Sequence, residues 1–160
     1  MAETLGSLVD KLSIKNLRIW HIDQELAFKN ARDLRASELR AKKEIAEKQK
    51  GELMKEINNF FSLALEGKIR VRDQKLKLYK NLNVNKMEEL AGLGKAISEL
   101  SIRNIRLWSL EDEVRRTDIP DSQVASCKRK IDTQNQERND LIDKVDQILE
   151  TKTLEKKFNS

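Results

Sequence analysis

From Leu5 onward, apolar residues fall at Leu5, Leu8, Val9, Leu12, Ile19, Ile22 and Leu26, the spacing that lays a stripe along one side of a helix. Thr4 or Glu3 can open it, and Ile14, Leu17 and Trp20 widen the stripe, so the helix is expected to be covered on more than one flank. A second pattern runs from about Leu34 to Glu66. Its predicted inward residues are Leu39, Ala41, Ile45, Leu53, Ile57, Phe60, Phe61 and Ala64, with Gly67 as stop signal. Lys42, Lys43, Glu44, Glu47 and Lys48 form its wet face. A third helix is predicted from Asn85 or Lys86 to Arg116, with Leu90, Leu93, Ile97, Leu100, Leu107, Leu110 and Val114 inward. A fourth follows Pro120 and carries Val124, Cys127, Ile131, Leu141, Ile142, Val145, Ile148 and Leu149.

The third pattern repeats the first. Leu12-Ser13-Ile14-Lys15-Asn16-Leu17-Arg18-Ile19-Trp20 returns 88 positions later as Leu100-Ser101-Ile102-Arg103-Asn104-Ile105-Arg106-Leu107-Trp108. At the same offset Leu5-Gly6 matches Leu93-Gly94, and Glu25 matches Glu113, so the shared unit is a whole helix. The turn Thr117-Asp118-Ile119-Pro120-Asp121-Ser122 separates the later pair, because Pro cannot continue a helix and Asp and Ser suit an N-cap. Shifted back by the offset, the first turn falls near Lys29 to Asp33; one continuous helix through that region is the competing reading.

Two duplicated hairpins each leave an apolar face uncovered, and packing them together covers both. The expected fold is therefore all-α: one domain over 1–160, a four-helix bundle of two hairpins (5–66 and 87–150) with pseudo-twofold symmetry. A basic connector (67–86) joins them, and a polar, frayed tail (151–160) follows. A charged fraction of 37% with only 4% aromatics, five Gly and one Pro suits long solvated helices. The net charge of +5 is unevenly placed. Between Gly67 and Lys86, seven basic residues stand against Asp73 alone, so this segment is +6 and the remainder nearly neutral. Lys68, Arg70, Arg72, Lys75 and Lys77 are a candidate anion patch, with solubilising charge as the plainer reading. Nucleic acid is disfavoured as a partner, since only Tyr79 is there to stack on a base. A single cysteine excludes an intramolecular disulfide and fits a reducing compartment. The chain has no signal-peptide pattern and no apolar run approaching the ~20 residues of a membrane span, so a cytoplasmic location is expected.

Candidate chemistry is sparse. Asn16 and Asn104 interrupt equivalent apolar stripes, so they either pair with each other or line a polar pocket. Trp20 and Trp108 read as equivalent core anchors. His21, Asp23 and Glu25 follow the first Trp, and Glu111, Asp112, Glu113 and Arg115 the second. Arg138 lies in line with Ile131, Asn135, Ile142 and Val145, which aims it inward at Glu111 or Asp112. The candidate pocket thus comprises Asn16, His21, Asn104, Trp108, Glu111, Asp112, Arg115, Asn135 and Arg138, read either as a small-molecule site or as an ion-pair network that specifies packing. No metal or cofactor is expected: the only histidine, His21, lacks the Glu-x-x-His spacing of helical di-metal sites. Glu88-Glu89 and Glu111-Asp112-Glu113 imitate only part of the acid set of all-α nucleotide pyrophosphatases. No phosphate loop, nucleophile elbow or zinc spacing occurs.

The run from Trp108 through Glu111, Asp112 and Arg115, then Lys128-Arg129, Ile131-Asp132, Asn135-Gln136, Arg138 and Asp140-Leu141, resembles the W-x-x-E-D-x-x-R and K-R-x-I-D-x-x-N-Q-x-R-x-D-L elements of a bacterial family of uncharacterised α-helical proteins. Leu8 to Ile14, Trp20-His21 and Lys77-Leu78-Tyr79 with Asn81 and Asn85 are similar to its opening helix and connector. Leu82 replaces its usual Pro, and Ser109 replaces the histidine beside the second Trp. The resemblance implies an all-α fold and an unassigned activity, with an accessory role in surface-glycan assembly suggested by gene association. Two function classes follow: a non-enzymatic binding or scaffold protein, and a small hydrolase or transferase acting on a phosphorylated or nucleotide-sugar substrate. A protein, a phosphorylated small molecule and a second copy of the chain are the candidate partners.

Overall fold

The computed structural model describes residues 3–27, 34–72 and 92–158, and among these it is a bundle of four helices with no strand. They are α1 (Leu5–Ala27), α2 (Leu34–Leu65), α3 (Leu93–Val114) and α4 (Asp121–Phe158). The first turn, expected at Lys29 to Asp33, and the connector from residue 73 lie outside the described residues; α1 and α2 are separate helices on either side of the former.

Local chemistry sets the ends. Thr4 caps α1, its Oγ1 accepting from the Ser7 backbone N–H at 3.3 Å. Gly67 stops α2 in the left-handed conformation (φ 69°): Lys68 N–H reaches Leu63 O at 2.9 Å and Gly67 N–H reaches Ala64 O at 3.1 Å, the paired bonds of a Schellman motif. Pro120 precedes α4, and its carbonyl accepts from Gln123 N–H at 2.9 Å. The tail, expected to fray from Thr151, instead continues α4 to Phe158. Thr153 is buried there, and its hydroxyl donates back to Glu150 O within the same helix at 2.8 Å.

α3 and α4 pack along their lengths, α1 lies against both, and α2 packs principally along α1. The shared core joins Leu5 and Val9 of α1, Ala96 and Leu100 of α3, and Leu141, Val145 and Leu149 of α4. α2 reaches it through its last turns, at Ile57, Phe60 and Ala64. The two copies therefore occupy unequal environments. Ala41, Ile45 and Phe61, expected inward, are exposed, while Ala36 and Ala46 are buried instead, because α2 has one full-length neighbour rather than two.

One contact fixes how α1 meets α4. A Cβ built on Gly6 would lie 2.2 Å from the Ile142 carbonyl oxygen, so only glycine permits this approach. The Gly6 N–H donates to Asp146 Oδ1 at 2.7 Å, placing a buried carboxylate at the N-terminal, positive end of α1.

Cys127 is buried, and both burial and the adjacent Glu113 carboxylate push its thiol pKa up. The folded state therefore holds the thiol proton more tightly than the unfolded chain. That stabilisation is present below the ordinary thiol value of about 8.5 and is lost as pH rises through the folded value. Ellman's reagent at pH 8 should label native protein slowly and denaturant-unfolded protein at once; equal rates would contradict this placement.

Candidate functional site

The residues expected to form one polar pocket lie in three places. Deepest is a polar knot where α1, α3 and α4 meet. Asp10 stands one turn beyond Gly6 on the same face of α1, so the close α1–α4 crossing buries it. Its Oδ1 accepts from Asn104 Nδ2 at 2.9 Å, and the same amide group donates to Ser13 Oγ at 3.3 Å. Arg138, expected to reach Glu111 or Asp112, instead places Nε 3.8 Å from Asp10 Oδ1. The Asn104 Nδ2 group is thus committed to Asp10 and Ser13, and it does not pair with Asn16, which is exposed. On the same side α4 buries Asp140, Asp143 and Asp146, with Asp140 accepting from Gln136 Nε2 at 3.0 Å. Among the described residues, no group of three or more His, Cys, Asp or Glu is arranged to hold a metal ion.

The second place is an aromatic ladder. His21 stacks on Trp108, with ring centroids 4.4 Å apart and planes within 13°, and meets Trp20 edge-on at 4.7 Å. Trp108 is half-buried, but Trp20 is 54% exposed and anchors no core. Ile19 and Ile22 take the inward positions, and one residue along a helix turns Trp20 by about 100° to the surface.

The third place is the acidic segment after Trp108. Glu111 is half-buried, whereas Asp112 and Arg115 are exposed and pair with each other at 3.0 Å. Asn135 is half-buried on α4. Among the described residues Arg138 pairs with Asp10 and Arg115 with Asp112.

The basic segment is legible for its first residues. Ile69 and Val71 turn into the core while Lys68 and Arg70 face outward; Lys68 is bridged to Glu66 at 2.7 Å, and Arg72 is half-buried. Lys75 and Lys77 lie outside the described residues.

Of the residues expected in the pocket only Asn16 lines an open groove of 490 Å³ between α1 and α3, whose other walls are Ser13, Leu17, Trp20, Ser101 and Ile105. Its volume falls within the ~300–1,000 Å³ usual for ligand sites. No charged residue lines it, in a chain where 37% of residues are charged. Ser13 Oγ already accepts from Asn104, so its own hydroxyl proton is free to donate; Ser101 Oγ donates to Ile97 O at 3.1 Å and keeps its lone pairs. The signal was present in the sequence: Ser13, Asn16, Leu17 and Trp20 recur at helical spacing, and the duplication supplies the facing Ser101 and Ile105.

No curated protein and no solved structure matches the chain. One family does, over residues 1–72 and 94–159, a match that includes the segments building the crossing, the knot and the groove. The chain belongs to the family described as protein of unknown function (DUF4254).

Proposed function

We propose that this protein is a non-enzymatic helical binding or scaffold factor whose working surface is the α1–α3 groove. The carrying observation is the contrast between that groove and the polar residues. The groove is open, uncharged and headed by the exposed Trp20, whereas Asn104 is bonded to Asp10, Arg138 stands at ion-pair distance from Asp10, and Asp112 pairs with Arg115. An exposed aromatic beside aliphatic and hydroxyl groups suits recognition by apolar contact with a few hydrogen bonds. It does not suit charge stabilisation of a phosphoryl group, which needs cations or backbone N–H groups aimed at the anion. An accessory role in surface-glycan assembly and a cytoplasmic location are the setting the family resemblance suggests for such a factor.

The test is a thermal-shift screen of the parent protein and of Glu111→Gln/Asp112→Asn against nucleotides, nucleotide-sugars, divalent metals and neutral sugars. A specific ligand raises the melting temperature by mass action, about 2.7 kcal/mol at a hundred times Kd. The binding reading expects no response to nucleotides or metals in either protein. It also expects any response to a groove ligand to be lost in Trp20→Ala and kept in the double variant. A nucleotide-sugar shift in the parent that the double variant loses while remaining folded would establish the hydrolase or transferase reading instead.

A further inference from the structure

The 88-residue offset pairs each half of the α1–α4 crossing with a counterpart elsewhere in the chain. On the socket side, Gly6, Asp10, Ser13 and Leu17 of α1 correspond to Gly94, Ser98, Ser101 and Ile105 of α3. On the ridge side, Ile142, Asp146 and Leu149 of α4 correspond to Met54, Asn58 and Phe61 of α2. The first pair meets inside the molecule: Gly6 admits the Ile142 carbonyl, Asp146 caps the Gly6 N–H, and Leu149 joins Leu5 and Val9 in the core.

The second pair is present but does not meet. Gly94 and Ser98 are exposed, Ile105 is 52% exposed, and a Cβ on Gly94 would find nothing within 4 Å. Met54 is 48% and Phe61 40% exposed, with Asn58 exposed between them. Met54, Asn58 and Phe61 are spaced i, i+4, i+7, as are Gly94, Ser98 and Ser101, so each set forms one continuous stripe. Neither stripe contains a charged residue, although both helices carry many. The N-terminus of α3 also differs from that of α1. Gly92 occupies its N-cap with no side-chain cap bond, whereas the first turn of α1 has both Thr4 and the Asp146 carboxylate.

We propose that the occupant of the α3 socket is α2 of a second copy of this chain, giving a symmetric dimer held by two reciprocal α2–α3 crossings. This rests on the reading of the groove as the working surface, since Ser101 and Ile105 belong to both. The geometry follows the internal crossing: the α2 backbone at Met54 lies over Gly94, the Asn58 amide oxygen accepts from the Gly94 N–H, and Phe61 covers apolar surface at the base of α3. A twofold axis presents each protomer's ridge to the other's socket, so both exposed stripes are used and the assembly closes at two. Two uncharged surfaces meet without stranding a charge, and aromatic and Met side chains are the types enriched in interface cores.

The experiment is light-scattering mass measurement of the full chain across a concentration series, with far-UV circular dichroism alongside, for the parent, Gly94→Leu and Phe61→Ser. The parent is expected at about twice 18.6 kDa. Gly94→Leu has open space in the protomer, so it should keep full helicity yet run at the protomer mass, because its side chain blocks the backbone approach. Phe61→Ser, on the ridge side, should also lose the dimer, and mixing the two variants should restore one crossing and a salt-insensitive, weaker association. A parent at 18.6 kDa throughout, or a Gly94→Leu protein that remains dimeric, overturns the proposal. A monomeric parent that still shows a Trp20-dependent ligand shift would overturn the dimer alone and leave the groove reading standing; a dimer lost on Gly94→Leu with no ligand response supports the dimer and leaves the groove no other occupant.

Discussion

Gly6→Ala should be the most damaging single-methyl change in this protein. The new Cβ would sit 2.2 Å from the Ile142 carbonyl oxygen and 3.1 Å from Asp146 Oδ1. The nearer obstacle is backbone inside a long helix, so it cannot rotate aside as a side chain can. α1 must move off α4, which weakens the Gly6 to Asp146 bond and opens the contacts of Leu5 and Val9 with Val145 and Leu149. Overpacking of this kind costs about 1–3 kcal/mol and sometimes more. Loss of a charge-assisted bond adds roughly 1.5–3 kcal/mol. A total near 4 kcal/mol corresponds to a melting-point loss of roughly 8–16 °C for a chain of this length. Gly51→Ala is the control: nothing lies within 4 Å of its Cβ in the middle of α2, so replacing a helical Gly there should stabilise by up to about 1 kcal/mol. A Gly6→Ala protein that melts with the parent would show that α1 and α4 do not approach this closely.

Asn104→Ala should come second, and its repeat partner should be silent. Asn104 is buried and donates to both Asp10 and Ser13. Its removal leaves the Asp10 carboxylate, itself buried, with only the Arg138 guanidinium at 3.8 Å. An under-satisfied buried polar group costs about 1–3 kcal/mol, more when charged, so a loss of roughly 3 kcal/mol is expected in urea unfolding. Asn16→Ala, on the exposed groove wall, should change stability by less than about 0.5 kcal/mol. Equal losses at the two positions would mean that the copies share one environment.

Helix number and type, and most core positions of α1, α3 and α4, were legible because long amphipathic periods report burial directly. Leu8, Leu100, Leu141 and Val145, all inward-facing in the pattern or beside it, are the most buried large apolar side chains. What periodicity could not report was which flank of each helix has a neighbour. The duplication suggests equal partners for Asn16 and Asn104 and for Trp20 and Trp108, yet α4 covers one copy where α2 leaves the other open. Arg138 stands beside Asp10, where the pattern pointed it at Glu111 or Asp112, since helix phase fixes direction but not which helix lies opposite. Asp10 and Asp146 were missed for a related reason. An acid on an apolar face looks like an edge residue until a bare glycine nearby lets another helix come close.

The α1–α4 crossing joins residues 140 positions apart, and this bears on how the chain is made. A helix whose first turn is completed by a carboxylate 140 residues downstream cannot settle until that residue has been made and has emerged. At about 5–20 residues per second, many seconds separate the emergence of Gly6 from that of Asp146. Through that interval the Gly6 notch and the apolar side of α1 stand open with only α2 to lean on. Contacts of such long sequence separation close late and slow the overall rate. Nascent chains of this protein should therefore engage a chaperone until α4 clears the exit tunnel, and then release it in a single step.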